Sequence, residues 1–358
     1  MQLYVDDPAV TVVGDFDQRE AALDVVILWW LVLGLPLAWN KGLVTDGLHT
    51  WIGATYQLKK RTDANAVERV QIRDSTAYVV IGVPEEFIEK LILDIDYFMK
   101  VETIDEITVE KLLGRAGRLS YLVPATKPFT SMLWAAKMAA DNFNTGHRRR
   151  YPLQRFSRAL RWIRTLLRPP AGREPWLPLH HIISNNDVHI DLNTAPAVEF
   201  DASPWGYGFV LKSAGKILEY GYGYWTTDDA EQLGIAIGKP DGQTTWEYLA
   251  LFIVLATHGH VHRSTGLALL GDNLASLNLA LNLKGSASLG RISREIAWRR
   301  VRAGWRYACG HLPSEQNQLA DDLSRVHQPD RLAVLPPELR EVSRHPGLKV
   351  AMLWTPDL

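Results

Sequence analysis

The chain has 358 residues, which by length predicts about two domains, and its formal net charge of −1 comes from 39 Lys and Arg against 40 Asp and Glu. Hydrophobic residues make up 47% and charged residues 22% of it, an ordinary composition for a core-forming globular protein and not one for a disordered chain. Cys309 is the only cysteine, so an internal disulfide is excluded and a reducing compartment is favoured.

Neither the N-terminus nor the longest apolar run indicates export or membrane insertion. Met1 is followed by polar and acidic residues, without the basic start of a signal peptide. The apolar run from 25 to 39 has only 15 residues and contains Gly34 and Pro36, so it predicts a buried helix that ends at Gly34. We therefore expect an intracellular protein, cytoplasmic or nuclear and not secreted, with no membrane partner.

The first 83 residues carry the pattern of a hairpin, a helix and further strands. Leu3-Tyr4-Val5-Asp6-Asp7 predicts a hairpin tip, a helix is expected from about 17 to 33, and Gly34-Leu35-Pro36-Leu37 predicts a strand. This order resembles the later half of a reverse transcriptase palm, so residues 1–83 are interpreted as a partial palm. The resemblance makes Asp6 and Asp7 a vestigial polymerase metal site. Polymerisation by this chain alone is not expected, because the family's third aspartate lies upstream.

Residues 84–170 predict a helical region. Pro84 starts a helix with acids in its first turn, and a Gly117-Arg118-Leu119 helix precedes one that begins near Pro128-Phe129. This order resembles the thumb and connection of retrotransposon reverse transcriptases. A proline-bearing segment, 171–196, then predicts a linker.

The most basic part of the chain lies between 147 and 168. Arg148 and Arg149 lead into a helix in which Arg155, Arg158 and Arg161 recur at helical spacing. One interpretation is an ordinary solvated helix face. The other is a surface that follows phosphates, since arginine binds phosphate bidentately and no acid lies in this run.

Four acids of the remaining chain each stand beside an apolar run. Asp201 lies where a strand leads into a hairpin containing Gly206 and Gly208, two glycines that are expected to let the chain reverse. Glu247 is expected in the first turn of a helix from about 245 to 258, where it either stabilises the helix dipole or binds metal. Asp272 follows a buried strand, and Asp321 opens a last helix.

The order of three strands, helix, strand, helices, strand and helix resembles ribonuclease H. Asp201 lies in an Asp-Ala-Ser hairpin, Glu247 on the first helix, Asp272 in an Asp-Asn pair and Asp321 in Ala-Asp-x-Leu-Ser-Arg. That ending, with His311 ten residues before Asp321, is typical of gypsy-like or DIRS-like retrotransposons. The fold class is therefore α/β (α+β), with a mixed five-stranded sheet and flanking helices in 197–326, while the tail 327–358 receives no interpretation.

The resemblance implies a two-metal nuclease. Asp201, Glu247, Asp272 and Asp321 would bind two Mg²⁺ ions, with Mn²⁺ as a possible substitute, since hard cations prefer oxygen ligands. Asp321 is preferred to Asp322 because it follows Ala320 and lies ten residues after His311. The expected partner is an RNA–DNA hybrid or another nucleic acid. The remaining predicted roles are proton movement or product release for His311 and nucleic-acid binding for Arg148, Arg149, Arg155, Arg158, Arg161, Arg299 and Arg300.

The predicted function is hydrolysis of the RNA strand of hybrids by a retroelement-derived reverse transcriptase and ribonuclease H fragment. One alternative is a non-catalytic relic or a domesticated nucleic-acid-binding protein, which need not keep the four acids together. The other is an integrase-like strand transferase, against which the segment from His311 to Asp321 and the acid on the first helix argue.

Overall fold

A computed structural model describes residue 12 and the ranges 15–33, 48–51, 54–64, 77–141, 150–168, 179–184, 195–262, 266–285, 287–332 and 334–346. The chain divides into two compact units, one made of Met1–Pro84 with His180–Val188 and the other of Glu85–Leu179 with His189–Leu358. The proposed palm aspartates, Asp6 and Asp7, lie outside the described residues, as do Arg148 and Arg149. Within the described ranges, no helix is both long enough and apolar enough to cross a membrane.

The first unit contains a helix and an antiparallel sheet. Helix α1 (Phe16–Val32) begins with a capping box between Asp15 and Gln18. None of its residues is buried, so the prediction of a buried helix here is wrong. The sheet has the order β1-β2-β3-β6, with β1 at Leu48–Trp51, β2 at Ala54–Lys60, β3 at Ala77–Gly82 and β6 at His180–Ser184. Strand β6 comes from the segment predicted as a linker, where Ile182 packs against the buried Tyr78 of β3.

The second unit begins with four helices, here called the helical segment. They are α2 (Glu85–Phe98), α3 (Glu106–Leu122), α4 (Lys127–Asp141) and α5 (Gln154–Leu167). Two short strands, β4 (Thr103–Asp105) and β5 (Arg150–Pro152), pair antiparallel beside them. Each helix buries one apolar face, as Leu91 and Ile95 of α2 and Leu160 and Ile163 of α5 illustrate.

A six-stranded mixed sheet organises the rest of the second unit. Its strands are β7 (Ala197–Ser203), β8 (Gly206–Ser213), β9 (Lys216–Tyr224), β10 (Leu267–Gly271), β11 (Tyr307–His311) and β12 (Ser343–Arg344), in the order β11-β10-β7-β8-β9-β12. Strands β7, β8 and β9 are antiparallel neighbours, whereas β10 runs parallel to both β7 and β11. The predicted mixed α/β class is confirmed, but the sheet has one more strand than the expected five.

The additional strand belongs to the C-terminal tail. Strand β12 pairs in parallel with β9 and forms that edge of the sheet. Leu339, just before β12, is fully buried against Val210, Tyr220 and Leu323. The tail therefore covers part of the sheet, because its apolar side chains complete a core cluster that the predicted domain boundary at residue 326 left open.

Five helices accompany this sheet: α6 (Thr227–Leu233), α7 (Gln243–His258), α8 (Leu274–Asn282), α9 (Ala287–Ala303) and α10 (Gln318–Ser324). Nearly every residue of α7 from Thr245 onwards is buried, so this helix is central to the fold. It begins at Gln243, earlier than predicted, directly after a short 3₁₀ turn at Pro240–Gly242. Glu247 consequently lies in the second turn and not in the first, where it would have stabilised the helix dipole.

The glycines of the hairpin have a different role from the predicted one. Gly206 and Gly208 lie within β8, and the chain reverses before them. A Cβ on Gly208 would lie 2.6 Å from the carbonyl oxygen of Ala320 and 2.7 Å from the backbone nitrogen of Ser324. The missing side chain at 208 therefore lets α10 approach the sheet, which brings the segment after Asp321 next to β7.

Candidate metal centre

Three of the predicted acids converge near the carboxyl ends of β7 and β10, two inner strands of the mixed sheet. Leu270 of β10 pairs with Glu199 of β7, and Asp272 and Asp201 each lie two residues further along these parallel strands. Glu247 reaches the same place from α7, which packs on β7. One carboxylate oxygen from each of Asp201, Glu247 and Asp272 lies within 4.8 Å of the other two. Three carboxylates this close are a candidate cation site.

Asp201 is an uncompensated buried acid. Burial raises its pKa to about 7, and the neighbouring carboxylates of Asp321 and Asp272 act in the same direction. The Ser324 hydroxyl donates to Asp201 Oδ2 at 2.7 Å, and the charge of Arg325 also favours the ionised form, but the net shift is upward. Burial and like charges therefore disfavour the ionised carboxylate, and a bound cation would favour it.

Glu247 is 3% exposed, and burial together with the charges of Asp201 and Asp272 raises its pKa well above the usual value. Gln243 Nε2 donates to Glu247 Oε1 at 2.9 Å and also to the carbonyl oxygen of Ala202. Among the described residues, nothing donates a hydrogen bond to the buried Oε2. An oxygen-only donor set with one buried oxygen left over fits a hard divalent cation such as Mg²⁺ or Mn²⁺.

Asp321 and Asp322 have different surroundings. Asp321 lines a cleft of about 550 Å³ together with the three converging acids. Its Oδ1 accepts from Arg325 Nε at 2.7 Å, so this carboxylate is held by an ion pair on the same helix. Asp322 instead accepts from an Arg331 guanidinium nitrogen at 2.7 Å and does not line the cleft.

The cleft also contains polar residues that received no predicted role. Ser314 Oγ donates to Asp272 Oδ2 at 2.7 Å, and the buried Asn317 donates from Nδ2 to the carbonyl oxygen of Phe200 at 2.9 Å. Ser324 and Arg325 belong to the sequence motif after Asp321, but the sequence predicts no role for either residue. Their spacing on a short helix after that acid is the signal that pointed to them, but the contact of Ser324 with Asp201 spans 123 residues.

His311 lies on the strand next to one of these acids, since it pairs with Gly271, the residue before Asp272. It is exposed at the end of β11 and is not among the described residues that line the cleft. The nearest part of its predicted loop inside the cleft is Ser314. Ser314 of the predicted loop therefore lines the cleft, whereas His311 does not.

The predicted nucleic-acid-binding arginines are spread over two helices. Arg155, Arg158 and Arg161 are exposed on α5. On α9, Arg299 pairs with Glu295 at 3.2 Å and lies over the Phe252 ring, while Arg300 lies over the ring of Tyr307. These five arginines do not line the acid cleft in the described part of the chain.

No protein-family model matches the chain, and no curated protein matches it. Among solved structures, one described as "Crystal structure of RNase H1 from halophilic archaeon Halobacterium salinarum NRC-1" is 21% identical, with a TM-score of 0.30. The match covers 38% of this chain and 98% of that chain. The chain's own geometry is that of a mixed α/β sheet with an acidic cleft, suited to a divalent cation, near the carboxyl ends of β7 and β10.

Proposed function

We propose that this chain is a ribonuclease H that hydrolyses the RNA strand of RNA–DNA hybrids with divalent cations held by Asp201, Glu247 and Asp272. The observation that carries the proposal is the convergence of these three carboxylates within 4.8 Å near the carboxyl ends of β7 and β10. Support also comes from the buried Glu247 Oε2, which lacks a donor among the described residues. Asp321, which lines the same cleft, is the proposed fourth acid.

Asp201, Glu247 and Asp272 would hold the cations, whose presence would supply activation of water and stabilisation of the leaving oxygen of a phosphodiester. The chain's own residues fix the carboxylates that hold such ions. Ser324 orients Asp201, Gln243 orients Glu247, and Ser314 orients Asp272, each through a hydrogen bond to one carboxylate oxygen. Arg325 holds Asp321 in the lining of the cleft through an ion pair, which competes with binding of a cation by that carboxylate.

The proposal also covers the evolutionary origin of the chain and the role of its first 170 residues. We infer a retroelement origin, with the first unit and the helical segment as a partial palm and a thumb with connection. The sequence motifs of residues 1–170 support this origin, and so does the helix order of the segment. We assign His311 to proton movement or product release, for which its exposed position at the end of β11 leaves it accessible.

One observation favours a second candidate, a nucleic-acid-binding protein without hydrolytic activity. Asp321 is engaged by Arg325 at 2.6 Å and is not part of the group of three acids. In a binding protein that ion pair would be permanent. In a nuclease it would give way when cations and substrate enter the cleft.

The test is cleavage of a labelled RNA–DNA hybrid by the purified chain with Mg²⁺ or with a chelator. We expect magnesium-dependent cleavage of the RNA strand and none of a DNA duplex of the same sequence. Asp201→Asn should reduce cleavage by more than about 100-fold while hybrid binding survives, because it removes one ligand charge. Asp228→Asn is the matched control, since Asp228 is exposed in the first turn of α6. A folded wild-type chain that leaves the hybrid intact would favour the second candidate.

A further inference from the structure

The helical segment contacts the mixed-sheet part of the second unit through tryptophans. The rings of Trp162 on α5 and Trp298 on α9 meet edge to face with centroids 5.6 Å apart. Phe129 of α4 stacks on Trp162, with ring centroids 5.4 Å apart. This aromatic contact holds one flank of α5 beside α9.

Arginines surround that contact on both helices. Arg158 lies four residues before Trp162, on the same flank of α5. On α9, Arg294 and Arg291 lie four and seven residues before Trp298, again on one face. The helical spacing therefore gathers three guanidinium groups from two distant parts of the sequence, a set that we call the arginine cluster (Arg158, Arg291 and Arg294).

The cluster lacks a balancing acid. Arg294 is half-buried, and its burial together with the charges of Arg158 and Arg291 lowers its pKa to about 10. Glu295 acts in the opposite direction, but its carboxylate is already paired with Arg299 at 3.2 Å. In the described part of the chain, neither Arg158 nor Arg294 forms an ion pair.

Arg291 is fixed in place by a hydrogen bond from its guanidinium to the carbonyl oxygen of Gln232. A desolvated guanidinium beside two like charges is unfavourable unless an anion compensates it. The three arginines therefore form a cationic surface to which both α5 and α9 contribute.

We propose that the arginine cluster binds backbone phosphates of the nucleic acid, so that α5 and α9 hold the same strand. The proposal rests on the proposed function, whose substrate it positions. Arg155 and Arg161 continue the row along α5 in steps of three residues, a rise of about 4.5 Å per step. The phosphates of one strand repeat about every 3.4 Å of duplex axis, so a row of arginines fits a strand better than a single phosphate ion.

The experiment measures binding of a labelled RNA–DNA hybrid to the full-length chain by fluorescence anisotropy, with a chelator present so that cleavage does not interfere. Affinity is measured over a series of salt concentrations for wild type and for Arg158→Gln with Arg294→Gln. We expect the double variant to bind about 10-fold or more weakly. The slope of log affinity against log salt should be smaller by about one to two, because fewer phosphate contacts release fewer counterions on binding.

Two controls separate this effect from general charge and from folding. Lys90→Gln with Lys216→Gln removes the same number of charges from exposed positions elsewhere, and should change affinity by less than about 3-fold. Arg294→Lys keeps the charge and should recover most of the loss. Should Arg294→Gln prevent folding, Arg158→Gln alone still decides the matter, since Arg158 is exposed and its loss should lower the salt slope by about one.

Unchanged affinity and salt slope in the double variant would overturn the proposed phosphate site. The cleavage assay keeps this result distinct from failure of the proposed function. If wild type cleaves the hybrid and the arginine variants bind it normally, the proposed phosphate site is wrong and the proposed nuclease activity stands. If the chain binds the hybrid through these arginines but does not cleave it, the phosphate site stands and the proposed nuclease activity is wrong.

Discussion

Carboxylates of the helical segment are compensated by nearby cationic side chains, whereas the buried carboxylates of the acid cleft are not. In the helical segment, Asp96 accepts from Arg164, and this hydrogen bond lowers the pKa of the Asp96 carboxyl. Lys137 similarly pairs with Asp141 at 3.1 Å. In the cleft, burial and like charges raise the pKa of Asp201. An aspartate whose charge is compensated within the chain therefore indicates a structural role, whereas one whose charge is not compensated indicates a candidate ligand site.

The largest effect that would sharpen this contrast concerns two adjacent acids of α10. We expect Asp321→Asn to reduce hybrid cleavage by roughly 10- to 100-fold, because Asp321 lines the cleft. Asp322→Asn should change it by less than about 3-fold, since Asp322 pairs with Arg331 and adjacent helical residues point about 100° apart. Rates for both variants under saturating Mg²⁺ give the comparison. Equal losses at the two positions would remove Asp321 from the proposed set.

A smaller effect concerns stability without cations. Because the pKa of folded Asp201 is raised from 3.8 to about 7, the folded state keeps a proton that the unfolded state has released between these values. The free energy of unfolding should therefore fall as pH rises from about 4 to about 7, and the loss is complete above that window. Asp201→Asn should remove this loss and stabilise the chelated protein at pH 8 by on the order of 2 kcal/mol.

Denaturant unfolding of both proteins at pH 5 and pH 8, with chelator throughout, measures that difference. Asp228→Asn again serves as the control, since its exposed carboxylate should leave the pH dependence as it is in wild type. A variant at Asp201 that is less stable than wild type at pH 8 would show that the cleft does not hold uncompensated charge.

The smallest effect belongs to the paired side of the comparison. Arg164→Gln should lower the free energy of unfolding by at most about 1 kcal/mol, because the side chains of Arg164 and Asp96 are 43% and 38% exposed. Cleavage should stay within about 2-fold of wild type. A double-mutant cycle with Asp96→Asn isolates the pair. A large loss of cleavage in Arg164→Gln would mean that this ion pair is not merely structural.

Local patterns predicted much of the mixed sheet and the positions of its acids. The alternating pattern before Asp201 and the apolar run before Asp272 each span only a few residues. Both strands can therefore be recognised from the sequence without knowledge of the fold. The start of α7 was predicted less well. That helix has no side-chain N-cap and follows a 3₁₀ turn, so no Ser, Thr or Asp marks its true first residue at Gln243.

Features that depend on distant contacts were not predictable from such patterns. The tail after residue 326 gave no periodic signal, yet Leu339 is buried and β12 joins the sheet. Strand β6 is only five residues long and is recognised by its pairing with β3. The Trp162–Trp298 contact likewise joins residues 136 positions apart, and helical periodicity cannot state which helix faces which.

The measurement that tests the central claim most directly is calorimetric titration of the purified, chelator-free chain with Mn²⁺. If Asp201, Glu247 and Asp272 form a cation site, wild type and Asp228→Asn should bind the ion alike, and Asp201→Asn should bind it at least about 10-fold more weakly. Absence of binding to folded wild type, or equal binding to Asp201→Asn, would contradict the assignment of the acid cleft as a metal centre.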